Sequence, residues 1–322
     1  MRVLSRGLAA LLLCIAGVAA AQAPAGKTIR LVVPFPAGGA TDLLARAIGQ
    51  RITQQTGQSV VVDNRAGAGG SIGSAEVAKA VPDGATLLMA TSSTHAIGPH
   101  LNPNLPYKTD TDFTPIAHVA NATNLVLVPL GLPVSTVGEL IAYAKARPGQ
   151  LNYASSGNGT IVHLTAEAFK AQAGVFITHI PYRGTALAIP DLVSNKVQLL
   201  FDSVVSGMPH VKDGKLKALA VTGARRSALA PEVPTVSESG LPGFESTTWF
   251  GVYGPKGLSA DMVKALNAEF VRAMQSAEVQ ERLAKLGAEP VTAGSAEQFA
   301  AMVKADSARW AALIRQRKIT LE

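Results

Sequence analysis

From residue 27 onward the chain alternates short β-branched runs with longer stretches of helical period. Such a pattern buries both kinds of element only as an α/β fold, with helices laid over parallel strands. The runs Ile29–Phe35, Val60–Asp63, Thr86–Thr91, Leu125–Leu130, Leu151–Ala154, Ile177–Tyr182, Val197–Phe201, Leu216–Val221 and Phe250–Tyr253 predict strands. Leu43, Leu44, Ala47, Ile48 and Ile52 recur at helical spacing on a first helix that Gly57 ends. Later helices declare their starts. Thr136 with Glu139 and Ser295 with Gln298 fit the reciprocal capping box, and Ser259 and Ser276 are N-caps followed by Asp261 and Glu278. Met262, Leu266 and Phe270 on one helix, and Phe299, Val303, Trp310 and Ile314 on the last, form stripes expected to pack in the core.

The first 23 residues stand apart from this pattern. Arg2 and Arg6 precede an uncharged apolar run from Leu8 to Ala21, closed by the small residues Ala19, Ala20, Ala21, Gln22 and Ala23. This reads as a cleaved export signal, too short to cross about 30 Å of hydrocarbon permanently. The single cysteine, Cys14, lies inside it, so the mature chain is expected to hold no disulfide and no thiolate metal site. Without Arg2 and Arg6 the formal charge falls from +7 to +5. Arg225 with Arg226, and Arg315, Arg317 and Lys318, form weak basic patches, and aromatics make up 5% of the chain with no base-stacking pattern around them, so nucleic acid is not expected as a partner.

Three strand-to-helix junctions carry the functional signal. The first runs Pro36, Ala37, Gly38, Gly39, Ala40, Thr41, Asp42; the second runs from Asn64 through Gly67, Gly69 and Gly70 to Ser71; the third runs Ser155, Ser156, Gly157, Asn158, Gly159, Thr160 into a helix carrying His163 and Leu164. A helix N-terminus presents unpaired N–H groups and about half a positive charge, and glycine lets a ligand approach the backbone. Junctions of this kind are expected to hold a carboxylate or phosphate. Asp42 and Asp202 stand at ends of strand–loop segments, where ligands of open α/β sheets bind. As acids they are expected to orient water, receive an ammonium group or cap local backbone.

Other chemistries find little support. Gly67, Gly69 and Gly73 are spaced one residue too widely for the dinucleotide fingerprint, and none of the three junctions ends in the Lys-Ser or Lys-Thr of a Walker sequence. Gly69-Gly70-Ser71-Ile72-Gly73 matches the nucleophile elbow by letter, which leaves a secreted serine hydrolase using Ser71 as the alternative. Ser71, however, lies well beyond the preceding strand, where the elbow needs it at the strand's end. The six histidines, at 95, 100, 118, 163, 179 and 210, show no metal-binding spacing, and no cofactor is expected.

Pro34-Phe35-Pro36-Ala37-Gly38-Gly39 with Asp42, then Asn64-Arg65-Ala66-Gly67-Ala68-Gly69-Gly70, resembles the Bug family, the extracytoplasmic solute receptors of tripartite tricarboxylate transporters. The likeness continues through Asp83-Gly84, Tyr153 to Thr160 with His163-Leu164, Pro181-Tyr182-Arg183-Gly184 and Phe201-Asp202-Ser203. The resemblance implies a two-lobed α/β periplasmic-binding-protein fold of type II, a Venus flytrap with its ligand cleft between the lobes. Lobe 1 would comprise residues 24–124 and 246–322, and lobe 2 residues 125–245. It implies a non-enzymatic, monomeric periplasmic receptor that captures a small carboxylate (a di- or tricarboxylate, an acidic amino acid or an aromatic acid) and delivers it to integral membrane subunits. It also implies that one carboxylate is held mostly by backbone N–H groups of the loops Phe35–Asp42 and Ser155–Thr160; with the reading of the residues themselves, the expected ligand-binding set is Phe35, Ala37, Gly38, Gly39, Asp42, Ser92, Ser93, Ser155, Gly157, Asn158, Gly159, Thr160, His163, Tyr182 and Asp202.

Overall fold

The computed structural model describes residues 27–291, 294–317 and 319–320. The segment read as an export signal, with Cys14, and also Lys318, lie outside the described residues. Ten strands and ten α-helices occur in these segments in the order β1 (Ile29–Val33), α1 (Ala40–Thr56), β2 (Val60–Asn64), α2 (Ser71–Ala78), β3 (Thr86–Thr91), α3 (Gly98–Leu101), β4 (Phe113–Pro129), α4 (Val137–Lys145), β5 (Asn152–Ser155), α5 (Ile161–Ala173), β6 (Thr178–Pro181), α6 (Thr185–Val193), β7 (Leu199–Ser203), α7 (Val204–Lys212), β8 (Leu216–Val221), β9 (Thr247–Pro255), α8 (Ala260–Gln275), α9 (Ala277–Leu286), β10 (Glu289–Pro290) and α10 (Ala296–Arg317). A single π-helical turn, Ser93–Ile97, follows β3.

The strands are hydrogen-bonded in the order β2-β1-β3-β9-β4-β7-β5-β6, with β8 and β10 also on β4. Parallel pairing, expected throughout, holds only on the flanks: β1 with β2 and β3, and β5 with β6 and β7. The centre is antiparallel and is organised by β4, which is much longer than the predicted Leu125–Leu130. Residues 113–123 of β4 pair with β9, and residues 124–129 pair with β7 and β8. One strand therefore serves two halves of the sheet. Where it passes between them, Thr222 ties three segments together. Its hydroxyl accepts the Asn124 N–H at 3.0 Å and donates to the Ser246 carbonyl at 2.6 Å, while its own N–H donates to the Asn124 carbonyl at 2.8 Å.

The four helix starts read from the sequence are capped as expected. Thr136, Ser259, Ser276 and Ser295 accept from the N–H of Glu139, Met262, Val279 and Gln298. Gln298 closes its box on the Ser295 N–H, whereas Glu139 reaches one residue further back, to Ser135. The last helix packs as its stripe predicts. Phe299 is 2% exposed and fills the space above Gly251, where an added Cβ would lie 2.1 Å from its ring. Burying a phenylalanine in this way contributes about 1.5–3 kcal/mol. Asp306 accepts from both indoles, Trp249 at 2.9 Å and Trp310 at 3.2 Å, so neither buried N–H lacks a partner.

Candidate functional site

A cavity of about 60 Å³ sits where the halves of the sheet meet. Helix N-termini surround it. Gly39, Ala40 and Thr41 bring the start of α1; Ile161 and Val162, with Ser156, the start of α5; Gly184, Thr185 and Ala186 the start of α6; and Ser203 the N-cap of α7. The first N–H groups of each helix have no intrahelical acceptor, and each terminus carries about half a positive charge. Phe35 and Phe250 supply apolar wall, and Thr91, Asn124, Asp202 and Thr248 supply polar side chains. Among the described residues that line the cavity there is no lysine, arginine or histidine. The chemistry on offer is that of an anion held by backbone dipoles.

Of the expected ligand-binding set, Phe35, Gly39, Ser93 and Asp202 line this cavity, and Pro36, Ala40, Thr41 and Ser156 of the first and third junctions join them. The others support it or lie elsewhere. Ala37 and Gly38 are exposed. Asp42 turns back on its own loop, accepting the Gly38 N–H at 2.9 Å and the Asn64 amide at 3.1 Å and pairing with Arg46 at 2.9 Å. Burial works to raise its pKa, but these three partners outweigh it and hold the carboxyl below the usual aspartate range. It is a brace for the first junction, the local capping role among those expected for it. Ser92 is fully buried with its hydroxyl unpartnered, outside the cavity lining.

The third junction contributes through Ser156, Ile161 and Val162, and Ser155, Gly157, Asn158, Gly159 and Thr160 form the turn behind them. Ser155 Oγ accepts the Gly157 N–H at 3.1 Å and bonds His179 Nε2 at 2.6 Å. Thr160 Oγ1 donates to the Gly157 carbonyl at 2.8 Å and caps His163 N. His163, expected to face a bound acid, instead accepts the Gly159 N–H on Nδ1 at 3.2 Å and stacks on His179 at 4.2 Å. It lines a separate hollow with Glu167, Lys170 and His179. Burial, reinforced by His163, pushes His179 down to about 4. Tyr182 donates to Asp191 at 2.8 Å and is likewise absent from the lining.

The second junction does not reach the cavity. It packs on the third, so closely that a Cβ on Gly69 would lie 2.9 Å from the Asn158 carbonyl. Ser71 is buried and lines a small void of about 30 Å³ to which, among the described residues, no histidine or acid contributes. The nucleophile elbow therefore lacks a base at its serine.

Sequence reasoning missed the start of α6, although the positive φ of +152° at Gly184 corresponds to a glycine already visible in Pro181-Tyr182-Arg183-Gly184. It also missed Thr91, Asn124 and Thr248, strand residues that only the tertiary fold brings together. One further contact joins two parts of the lining: Ser93 Oγ accepts the Ile161 N–H at 3.0 Å, so the π-helical turn after β3 caps α5.

Comparison with known proteins agrees with this architecture. Protein BugT of Bordetella pertussis is 37% identical over 305 residues, covering 94% of this chain and 93% of that protein. A solved R. palustris protein with adipate superposes with a TM-score of 0.89 at 38% identity, over 92% of this chain and 99% of that one. MatC of Rhodopseudomonas palustris, with bound malate, superposes at 0.85 with 33% identity, over 90% and 99%. The chain thus has the two-lobed α/β fold of periplasmic binding proteins. Residues 44–319 match the tripartite tricarboxylate transporter family receptor, and the chain belongs to that TctC family of periplasmic solute receptors.

Proposed function

We propose that the mature protein captures a small organic carboxylate in the central cavity, without transforming it, and delivers it to integral membrane subunits of a tripartite transporter. The observation that carries this reading is the convergence of four helix N-termini on one cavity whose described lining has no cationic side chain. Such a site suits an anion. Adipate and malate in the two R. palustris relatives support the carboxylate class. In this reading residues 1–23 direct export to the periplasm, and the chain acts as a monomer. Its lobes, 24–124 with 246–322 and 125–245, meet at Thr222 and close over the acid by a hinge motion.

The test is thermal unfolding of the mature protein with a panel of mono-, di- and tricarboxylates and amino acids. At a hundredfold excess over Kd a bound acid stabilises by about 2.7 kcal/mol, several degrees in Tm. One or a few acids are expected to produce that shift. A panel without any shift contradicts the receptor reading, and ester turnover abolished by Ser71→Ala would establish the hydrolase instead.

A further inference from the structure

The glycine loop between β2 and α2 stays out of the central cavity, yet its backbone is shaped for close approach. At Gly69, with φ +65°, a Cβ would meet the Asn158 carbonyl at 2.9 Å, and one on Gly157 would meet the Gly69 nitrogen at 3.3 Å. On the loop's other side, a Cβ on Gly70 would lie 2.6 Å from Thr94 Cγ2. The loop is thus wedged between the π-helical turn after β3 and the third junction, leaving a void of about 30 Å³ among them.

The same turn sends Ser93 to the third junction directly. Ser93 is 4% exposed, and its Oγ accepts the N–H of the equally buried Ile161 at 3.0 Å. That N–H opens α5 and has no intrahelical acceptor, so without Ser93 it would be left buried and unpaired. In the lobe division proposed above, the glycine loop and Ser93 belong to residues 24–124, and Gly157, Asn158 and Ile161 to residues 125–245. These contacts then join the two lobes, and a hinge opening parts all of them. Each is made between protein groups, with no acid needed to complete it.

Resting on the receptor reading and its hinge motion, we infer that Ser93 and the loop Gly67–Gly70 form a clasp between the lobes that sets how long an acid is retained and not which acid is chosen. An acid enters the open form, in which the clasp is already parted, so capture does not sense it. Release requires opening, and the clasp must part first. Ser93 and Gly69 are positioning residues. They act on the closed fraction, and apparent affinity follows that fraction for every ligand alike.

Rates of association and dissociation, measured by stopped-flow mixing of the mature protein with the acids that shift its melting temperature, test this. Gly69→Asn is the sharper variant, because Gly69 lies outside the cavity lining and asparagine tolerates a left-handed backbone while its Cβ intrudes on the Asn158 carbonyl. Dissociation is expected to quicken about tenfold or more and association to stay within about twofold, with Kd raised by one common factor for every acid bound. Ser93→Ala, which strands the Ile161 N–H in the closed form, should quicken dissociation about tenfold. The ligand-free melting curves should remain those of folded proteins. Unchanged dissociation in either variant overturns the inference, as does a loss carried by association or one that reorders the acids. All three results leave the receptor reading in place. Failure of the wild type to bind any acid overturns both. If Gly69→Asn fails to fold, Gly69→Ala, a smaller intrusion at the same point, decides on the same criteria.

Discussion

Replacing Gly184 with alanine is expected to weaken acid binding by about a hundredfold or more while leaving the ligand-free protein folded. Gly184 precedes α6 at φ +152°, a conformation that L side chains rarely adopt. A Cβ there would lie 2.3 Å from Pro36 Cδ and 2.7 Å from Cγ. Pro36 belongs to the loop after β1 and Gly184 to the start of α6, so under the proposed hinge motion this contact exists only while the two lobes are close. The proline ring is fixed to the backbone and cannot rotate away. The alanine variant therefore penalises the closed arrangement more than the open one, and apparent affinity falls in proportion to the closed fraction. A hundredfold loss corresponds to about 2.7 kcal/mol. Calorimetry on the variant, with its ligand-free melting curve as the folding control, measures this. Undiminished affinity would show that α6 need not approach the first junction for binding.

The second large effect is a pH-dependent change in stability at Asp202. Its pKa in the folded protein is raised to about 6 by burial, from the ordinary aspartate value of 3.8. A group raised on folding stabilises the protein fully below its unfolded pKa, and that contribution is lost as pH rises through the folded pKa. Between about pH 4 and 6.5 the wild type therefore loses stability on this account, by up to about 3 kcal/mol for two pKa units. Asp202→Asn removes the titration. Its Tm is expected to exceed that of the wild type at pH 8 by several degrees, with the gap closing towards pH 4. Melting curves of the two proteins across that range check it. A variant destabilised equally at every pH would mean that Asp202 is paired in the folded state.

How far the sequence foretold this molecule depended on where each element draws its stability. Strands β1, β2 and β3 were legible because a strand with helices on its faces reads as an apolar run, and capped helices advertise their first turn chemically. The first half of β4 was hidden, since Thr114, Pro115, His118, Asn121 and Thr123 interrupt any apolar run, and its stability comes from pairing with β9 more than a hundred residues later. Parallel pairing was accordingly overpredicted: nothing local distinguishes β9 returning antiparallel from a strand delivered by a crossover helix.

The candidate site was legible to the same degree. Glycine, serine and asparagine clusters located two of the four helix N-termini, because a loop that must present backbone needs those residues. The same signal at Gly67 to Ser71 marked a loop packed against another loop, where glycine serves close approach to the Asn158 carbonyl. Asp42 and His163 illustrate a further limit. Both are polar, both sit beside the junctions, and both spend their hydrogen bonds holding the loops in shape. Asn124 and Thr91 gave no signal, since a polar residue in a strand looks the same whether it faces a cavity or another hydroxyl.

The most direct measurement is a crystal structure of the protein with its tightest-binding acid. The account predicts a carboxylate in the central cavity, its oxygens about 2.7–3.2 Å from backbone N–H groups at the starts of α1, α5, α6 or α7, with no arginine or lysine touching it. A carboxylate bound instead by a basic side chain, or one seated outside this cavity, would contradict it.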